Sequence, residues 1–311
     1  MLFSTRYVRT AVKQALHGLF TTSQRFGVNV LPLHFYSSIP NIRELRARSD
    51  WKEQRSMFGI ARLSTEQQIA LLADIMPAAS YPGRDLYSEA VRENAVDGGY
   101  GIIETQVLAA FVASRRPARI VQIGCGVSTA VIRAAAQLAD YRPNITCIDP
   151  YPTEYLQRAS REGSIALLAK RAQVVEMDTL TSLGVGDLLF VDSTHTVKPG
   201  SEVNRIVLEV LPRLRRGVLV HFHDIYFPYE YGRRFLSDEL FFPAETTLLY
   251  AFLLNNPMFR IELCLSMLHY EAPDHMKRLI PSYEPQGNDA GLAVGGGKHF
   301  PSALYLAKIA D

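Results

Sequence analysis

The run Ala118-Arg-Ile-Val-Gln-Ile123 is apolar and rich in β-branched residues, and it breaks into Gly124-Cys-Gly126 before an Ala-rich stretch that continues through Ala139. Buried strand, tight glycine turn, helix: that order admits few folds and is the opening unit of an α/β domain. Glycines at 124 and 126 let the backbone approach a ligand closely, and the helix behind them presents unpaired N–H donors at its N-terminus. Such a geometry suits an adenosine-containing cofactor. The turn alone does not choose one, because Thr129 stands where the dinucleotide fingerprint has its third glycine. A plain strand–turn–helix with no ligand would read the same way.

The segments downstream narrow the choice. Asn144-Ile-Thr-Cys-Ile-Asp149 is a short β-rich run that ends in an acid, roughly 20 residues beyond the turn, where a carboxylate can accept both ribose hydroxyls. Ala172-Gln-Val-Val-Glu-Met-Asp178 reads as a third strand and Asp187-Leu-Leu-Phe-Val-Asp192 as a fourth, each ending in Asp. Gly217-Val-Leu-Val-His-Phe-His-Asp224 reads as a fifth, ending in His223 and Asp224. Every one is apolar along its length and polar at its carboxyl end. In an open parallel sheet those ends share one crevice, which is where ligands bind.

With these residues in place the chain resembles the class I S-adenosylmethionine-dependent methyltransferases. The likeness is closest to the metal-dependent sugar and small-molecule O-methyltransferases, whose fourth strand ends in Asp-x-x-His and whose fifth ends in an acidic pair. Here those patterns read Asp192-Ser-Thr-His195 and His223-Asp224, and the resemblance covers the chain from about residue 98 onward. It implies an α/β, Rossmann-like methyltransferase sheet, mostly parallel with an antiparallel C-terminal strand, plus an N-terminal helical extension. It implies S-adenosylmethionine as cofactor, with Gln122, Gly124, Gly126, Ser128, Asp149 and Asp178 as its contacts. One departure is Gln122, where the family often has an acid; an amide can still hydrogen-bond there. The resemblance also implies a divalent ion such as Mg²⁺ on Asp192, His223 and Asp224, and His195 as catalytic base. His223 is the weakest of these, because imidazole suits Mg²⁺ poorly.

The chemistry asks for such groups. Methyl transfer from a sulfonium is an in-line displacement, so the nucleophile must be held close to the methyl carbon. A hydroxyl acceptor is too weak an acid to ionise unaided, and a general base or a Lewis acid helps it. An imidazole titrates near neutrality and serves as such a base. The aromatic segment Ile225-Tyr-Phe-Pro-Tyr-Glu-Tyr231 follows the fifth strand directly and can wall the acceptor pocket or simply pack. His221 shares a face with His223 and reads as a strand histidine with its partners inside the fold.

Composition bounds the rest. With 33 Lys+Arg against 31 Asp+Glu, the net charge of +2 gives no reason to expect a nucleic-acid partner. No stretch reaches the roughly 20 apolar residues of a membrane span. Cys125, Cys147 and Cys264 have no metal-ligand spacing and read as free thiols in a reducing, cytoplasmic setting. Residues 1–95 read as a helical and irregular extension and 96–311 as the methyltransferase domain. Leu2, Val8, Val12, Leu16 and Leu19 recur at near-helical spacing among Arg6, Arg9 and Lys13. That segment reads as an amphipathic helix packing on its own domain or on a second copy, with targeting as the other reading. Pro32 and Pro40 forbid a long helix over 29–40. Helices are expected over 64–74, 102–114 and 245–254, and strands over 259–266 and 302–308. Gly295–Gly297 is the one low-complexity tract.

Two other classes stay open at this level. A nicotinamide-dependent oxidoreductase also uses an acid after the second strand, though the third glycine is missing. A non-catalytic cofactor-binding relative is the other.

Overall fold

The computed structural model describes all residues except 1–3, 80, 82, 96–98, 233–235, 237, 290–291 and 294–299. Leu2 and the glycine tract 295–297 lie outside the described residues, as do the side chains of Arg6, Val8 and Arg9. The chain forms two compact units, Met1–Ser49 and Asp50–Asp311.

In the first unit a helix covers Ser4–Gln24, and Val12, Leu16 and Leu19 on it are exposed. Residues 28–40 form no helix, as the two prolines require. Phe35 and Tyr36 are exposed there and meet edge to face at 5.3 Å. A short helix, Ile42–Ala47, closes the unit with Asn41 as its N-cap.

The second unit is built on seven strands: β1 (Arg119–Ile123), β2 (Asn144–Ile148), β3 (Ala166–Leu168), β4 (Leu188–Val191), β5 (Leu219–Phe222), β6 (Phe259–Cys264) and β7 (Leu304–Lys308). Their order across the sheet is β3-β2-β1-β4-β5-β7-β6. β1 to β5 are mutually parallel, and β7 lies antiparallel between β5 and β6. This is the Rossmann-like sheet with a reversed C-terminal strand that the family resemblance implies.

Both faces of the sheet are covered, so the strands are apolar on both sides. Ile120, Ile145, Leu188, Phe190 and Tyr305 belong to one core, packed with the helices Ile102–Arg115 and Val127–Leu138. Val121, Ile123, Val191, Val220, Phe222 and Leu306 belong to the other. Each fully buried side chain of this size contributes about 1.5–3 kcal/mol. The helix Thr65–Ile75 starts with the capping box Ser64/Gln67 and buries Leu72 and Ile75 in the first core.

One element differs from the sequence reading. The third strand is Ala166–Leu168, not 172–178. Ala172–Val174 is a 3₁₀ turn, and Met177–Thr181 is a short helix carrying Asp178 in its first turn. Ala172 and Val175 of this stretch join the second core, while Val174 is exposed. A three-residue edge strand leaves too short a run to read.

Register places the polar strand ends side by side. Ile123 is level with Ile148 and Val191, and Val191 with Phe222. The ladder runs one residue further: Asp192 N–H donates to the Ile123 carbonyl at 2.9 Å, and His223 N–H to that of Val191 at 3.0 Å. Gly124, Asp149, Asp192 and His223 therefore stand in one row. Between β1 and β4 the strand order reverses, which is the switch point where such sheets open a crevice.

Candidate functional site at the carboxyl ends of the strands

On the β1–β2 side the glycine turn is held from several directions. Gly124 has φ +78°, and a Cβ there would lie 1.6 Å from the Asp192 carbonyl oxygen. Its need for glycine is thus the close approach of β1 to β4 rather than room for a ligand. Gly126 differs: at φ +151° its added Cβ would meet only Asn94 Oδ1 at 3.8 Å. Gln122, fully buried, donates from its amide to Ser128 Oγ at 2.8 Å and accepts from Thr129 Oγ1 at 2.9 Å. These bonds staple the strand to the first turn of the helix Val127–Leu138. Asp149 is half-buried and accepts from Cys125 N–H at 3.1 Å and Tyr151 N–H at 2.7 Å. One bond falls on each carboxylate oxygen, so each keeps a lone pair for a further donor. Asp178 is exposed on its helix and does not belong to the row of strand ends.

On the β4–β5 side the polar groups converge. His195 Nε2 lies 3.5 Å from Asp192 Oδ1 and 3.5 Å from Asp224 Oδ2. His223 Nδ1 lies 3.4 Å from the same Asp192 oxygen and 3.6 Å from the same Asp224 oxygen. Four donor atoms thus form a ring in which imidazole and carboxylate alternate. The other faces of these groups are tied down. Asp224 Oδ1 accepts from Ser302 Oγ at 3.0 Å and Tyr226 Oη at 3.2 Å. His195 Nδ1 donates to Glu245 Oε2 at 2.7 Å. The His223 ring lies tilted against Tyr100 at 4.8 Å and has no hydrogen bond at either nitrogen.

Local backbone explains how His195 gets there. Its carbonyl accepts from Ala244 N–H at 2.9 Å and Glu245 N–H at 3.2 Å, the start of the helix Glu245–Leu253. Glu245 returns its carboxylate to the same residue, so one helix N-terminus grips His195 by main chain and side chain together. From the other side Glu202 Oε1 accepts from Thr194 N–H at 3.0 Å. His195 and Asp224 both take the left-handed conformation, at φ +55° and +54°. Such strain in non-glycine residues costs on the order of 1–3 kcal/mol each and gathers at functional sites.

The charges are strongly coupled. Burial would lower the His223 imidazole, but Asp224 and Asp192 outweigh it and carry it up to about 9. Burial opposes His195 too, yet hydrogen bonds to Asp192 and Glu245 and the charges of Glu245 and Asp224 hold it well above its ordinary value. Asp192 is lowered, the two imidazoles overcoming its burial. Complete burial raises Glu245 against the pull of His195. His221 is a packing residue: it stacks on Phe190 at 4.4 Å, with burial pushing its imidazole well down.

A shallow cleft of about 550 Å³ lies at the opposite end of the sheet, lined by Arg216, Arg260 and Lys308 among others. Arg260 is paired there with Glu262 at 2.8 Å, and the buried Lys308 donates to the Pro212 carbonyl.

Comparison with known proteins coincides with the crevice. Residues 121–225 match the model of a family described as a methyltransferase domain. An uncharacterized protein of Archaeoglobus fulgidus is 30% identical over 138 residues, which are 41% of this chain and 61% of the relative. The chain thus spans about three fifths of the curated relative it matches. Among solved structures, an SAH-bound methyltransferase of Podospora anserina is 13% identical, with 90% of this chain and 99% of that one covered and a TM-score of 0.40. The SAM complex of an O-methyltransferase of Streptomyces achromogenes involved in tomaymycin synthesis is 14% identical, with 80% and 100% covered and a TM-score of 0.44. Likenesses this distant say nothing of the substrate.

The matched segment contains every candidate site residue read from the sequence, yet the structure adds partners beyond it. Glu245, Ser302, Tyr226 and Glu104 brace the cluster, Glu104 by accepting from Ser302 N–H at 2.7 Å. The signal for Glu245 is a glutamate in the first turn of an otherwise apolar helix. Ser302 and Glu104 carry no signal of their own, because each becomes adjacent only when β7 inserts beside β5.

Proposed function

We propose that this protein transfers a methyl group from S-adenosylmethionine to a hydroxyl oxygen of a small molecule, and that residues 96–311 hold both ligands while 1–95 are accessory. The carrying observation is a coincidence of places: the segment matched to the methyltransferase family is the stretch that builds the glycine turn, Asp149 and the Asp192/His195/His223/Asp224 cluster.

The β1–β2 side fits the cofactor. Gly126 leaves open space where any other residue would project, and Asp149 keeps acceptor capacity at the height of the turn. S-adenosylmethionine supplies a methyl group on a sulfonium, displaced in line by the acceptor oxygen. Asp149 would accept from the ribose hydroxyls, while the engaged amide of Gln122 and hydroxyl of Ser128 shape the turn. The acceptor's proton leaves toward the cluster on β4 and β5. His195 acts there through Nε2, since Nδ1 is committed to Glu245. Mg²⁺ does not fit this cluster, because two of its four converging donors are imidazole nitrogens and Mg²⁺ demands oxygen. A net charge of +2 favours a small acceptor over nucleic acid, and among the described residues no helix is long and apolar enough to cross a membrane.

Calorimetric titration with S-adenosylhomocysteine tests the reading, with NAD as the competing ligand. Binding of the former alone is expected, and Asp149→Ala should weaken it by about 1–3 kcal/mol, the cost of a lost charged hydrogen-bond partner. Binding of NAD instead, or an Asp149→Ala variant with unchanged affinity, overturns it.

A further inference from the structure

We infer that the first unit is a docking surface for an anionic lipid bilayer, with the helix Ser4–Gln24 lying flat among the headgroups and Val12, Leu16 and Leu19 turned inward. The inference goes beyond the methyltransferase reading and does not depend on it.

The first argument is exposed apolar surface. Among the described residues 21 large hydrophobic side chains are exposed, and 11 of them fall between Val12 and Ile39. The other ten are spread over residues 58–254, the ordinary scatter of a protein surface. Val12, Leu16 and Leu19 follow the i, i+4, i+7 spacing of a single helix face. Beyond the helix the series continues with Phe26, Val28, Leu33, Phe35 and Tyr36, and the last two are 94% and 87% exposed. A tyrosine, apolar in body and polar at its tip, favours the boundary between headgroups and acyl chains.

The second argument is charge. The whole chain is nearly balanced, yet residues 1–49 carry seven Lys and Arg against one acid, Glu44. Ahead of Glu44 stand Arg6, Arg9, Lys13, Arg25 and Arg43 with no carboxylate among them. An anionic leaflet attracts such a segment, and each Lys or Arg near its surface strengthens binding roughly fivefold. Lys13 follows Val12 by one residue and so lies about 100° round the helix from it. On that flank its long stem reaches up to the headgroups while the apolar face points in.

The third argument is the mode of contact. The helix has 21 residues, and Thr10, Gln14, Thr21 and Thr22 interrupt its apolar positions. Among the described residues no helix is long and apolar enough to cross a membrane. A basic helix with one apolar face and low overall hydrophobicity lies in the interface instead. A second copy is the other partner such a face can take. Packing two of these helices face to face brings their cations together with no carboxylate between them, and like charges at that range repel.

Vesicle flotation is the test. The full chain should float with vesicles of mixed phosphatidylcholine and phosphatidylserine and stay behind with phosphatidylcholine alone. Raising the salt from about 0.1 M to 1 M shortens the screening length from about 10 Å to 3 Å and should weaken binding roughly tenfold or more. Leu16→Glu/Leu19→Glu should abolish flotation, and Lys13→Gln/Arg25→Gln should weaken it about 25-fold. All four residues lie outside the unit Asp50–Asp311, so its urea unfolding should match wild type in both variants. No flotation of the wild-type chain with the anionic vesicles, equal flotation with both kinds, or flotation that survives Leu16→Glu/Leu19→Glu overturns the proposal. So does an oligomer, seen by sedimentation velocity, that the same double substitution dissociates, because the face then belongs to a second copy. S-adenosylhomocysteine binding, measured in parallel, bears on the methyltransferase reading alone.

Discussion

The two sides of the crevice are built on opposite terms. On the β1–β2 side the buried polar groups have protein partners: Gln122 with Ser128 and Thr129, Asp149 with two backbone N–H groups. On the β4–β5 side the His223 ring makes no hydrogen bond at either nitrogen, and His195 and Asp224 sit in left-handed backbone. The first side is a finished scaffold with one opening, at Gly126. The second stores strain and unmet polar capacity, the mark of a site completed by something that is not protein. Satisfied and unsatisfied halves meet at Gly124, whose missing side chain lets the Asp192 backbone close against the turn.

The sharpest way to break the comparison is at that junction. In Gly124→Ala the added Cβ meets the Asp192 carbonyl oxygen at 1.6 Å and its carbon at 2.7 Å, and backbone cannot yield as a side-chain tip can. A loss above about 4 kcal/mol, or no folded protein, is expected. Gly126→Ala has space but keeps φ +151°, so it should cost only about 1–3 kcal/mol. Urea unfolding of both variants separates the cases, and equal midpoints would show that the two glycines serve one purpose.

What could be read from the sequence follows the same division. Strand ends are legible because an apolar run that stops at an acid reports both an element and its boundary, which places Asp149, Asp192 and the His223-Asp224 pair at strand ends, whereas His195 rests on the Asp-x-x-His resemblance. Asp178 misled because Ala172 and Val175 bury themselves under the sheet from a turn and a short helix, imitating a strand. The contacts of Gln122 were invisible, since an amide aimed at a ligand and one aimed at Ser128 have the same sequence. Glu245 lies 50 residues from His195, and only packing of its helix N-terminus brings the two together.

Gln122 sharpens the comparison next. If it belongs to the scaffold, Gln122→Ala deprives the buried Ser128 hydroxyl of its donor and the Thr129 hydroxyl of its acceptor, Thr129 keeping only the Gly126 N–H. Each orphaned group costs about 1–3 kcal/mol, so stability should fall by several kcal/mol in all. Affinity of the folded variant for S-adenosylhomocysteine should stay within a few-fold of wild type. Retained stability with lost affinity would place the amide against the cofactor instead.

The smallest effect tests whether the strained side is sensitive to pH through its supports. His269 donates no charge to the cluster. It hydrogen-bonds Tyr283 Oη at 2.7 Å and packs on Phe300 at 5.0 Å, and Phe300 stacks on Tyr226, which holds Asp224. Burial pulls its imidazole from 6.5 down to about 4. Between those values the unfolded chain binds the proton and the folded chain does not, so folding stability falls as the solution is acidified. The contribution is complete above pH 6.5, is lost progressively down to pH 4, and amounts to about 2–3 kcal/mol once partial solvent access is allowed for. His269→Phe keeps the ring stack without the titration. Its unfolding midpoint should depend less on pH than wild type between 4 and 6.5, by that margin. Parallel pH curves for the two proteins would mean that His269 takes up its proton in the fold, and that the wall behind Asp224 does not feel acid.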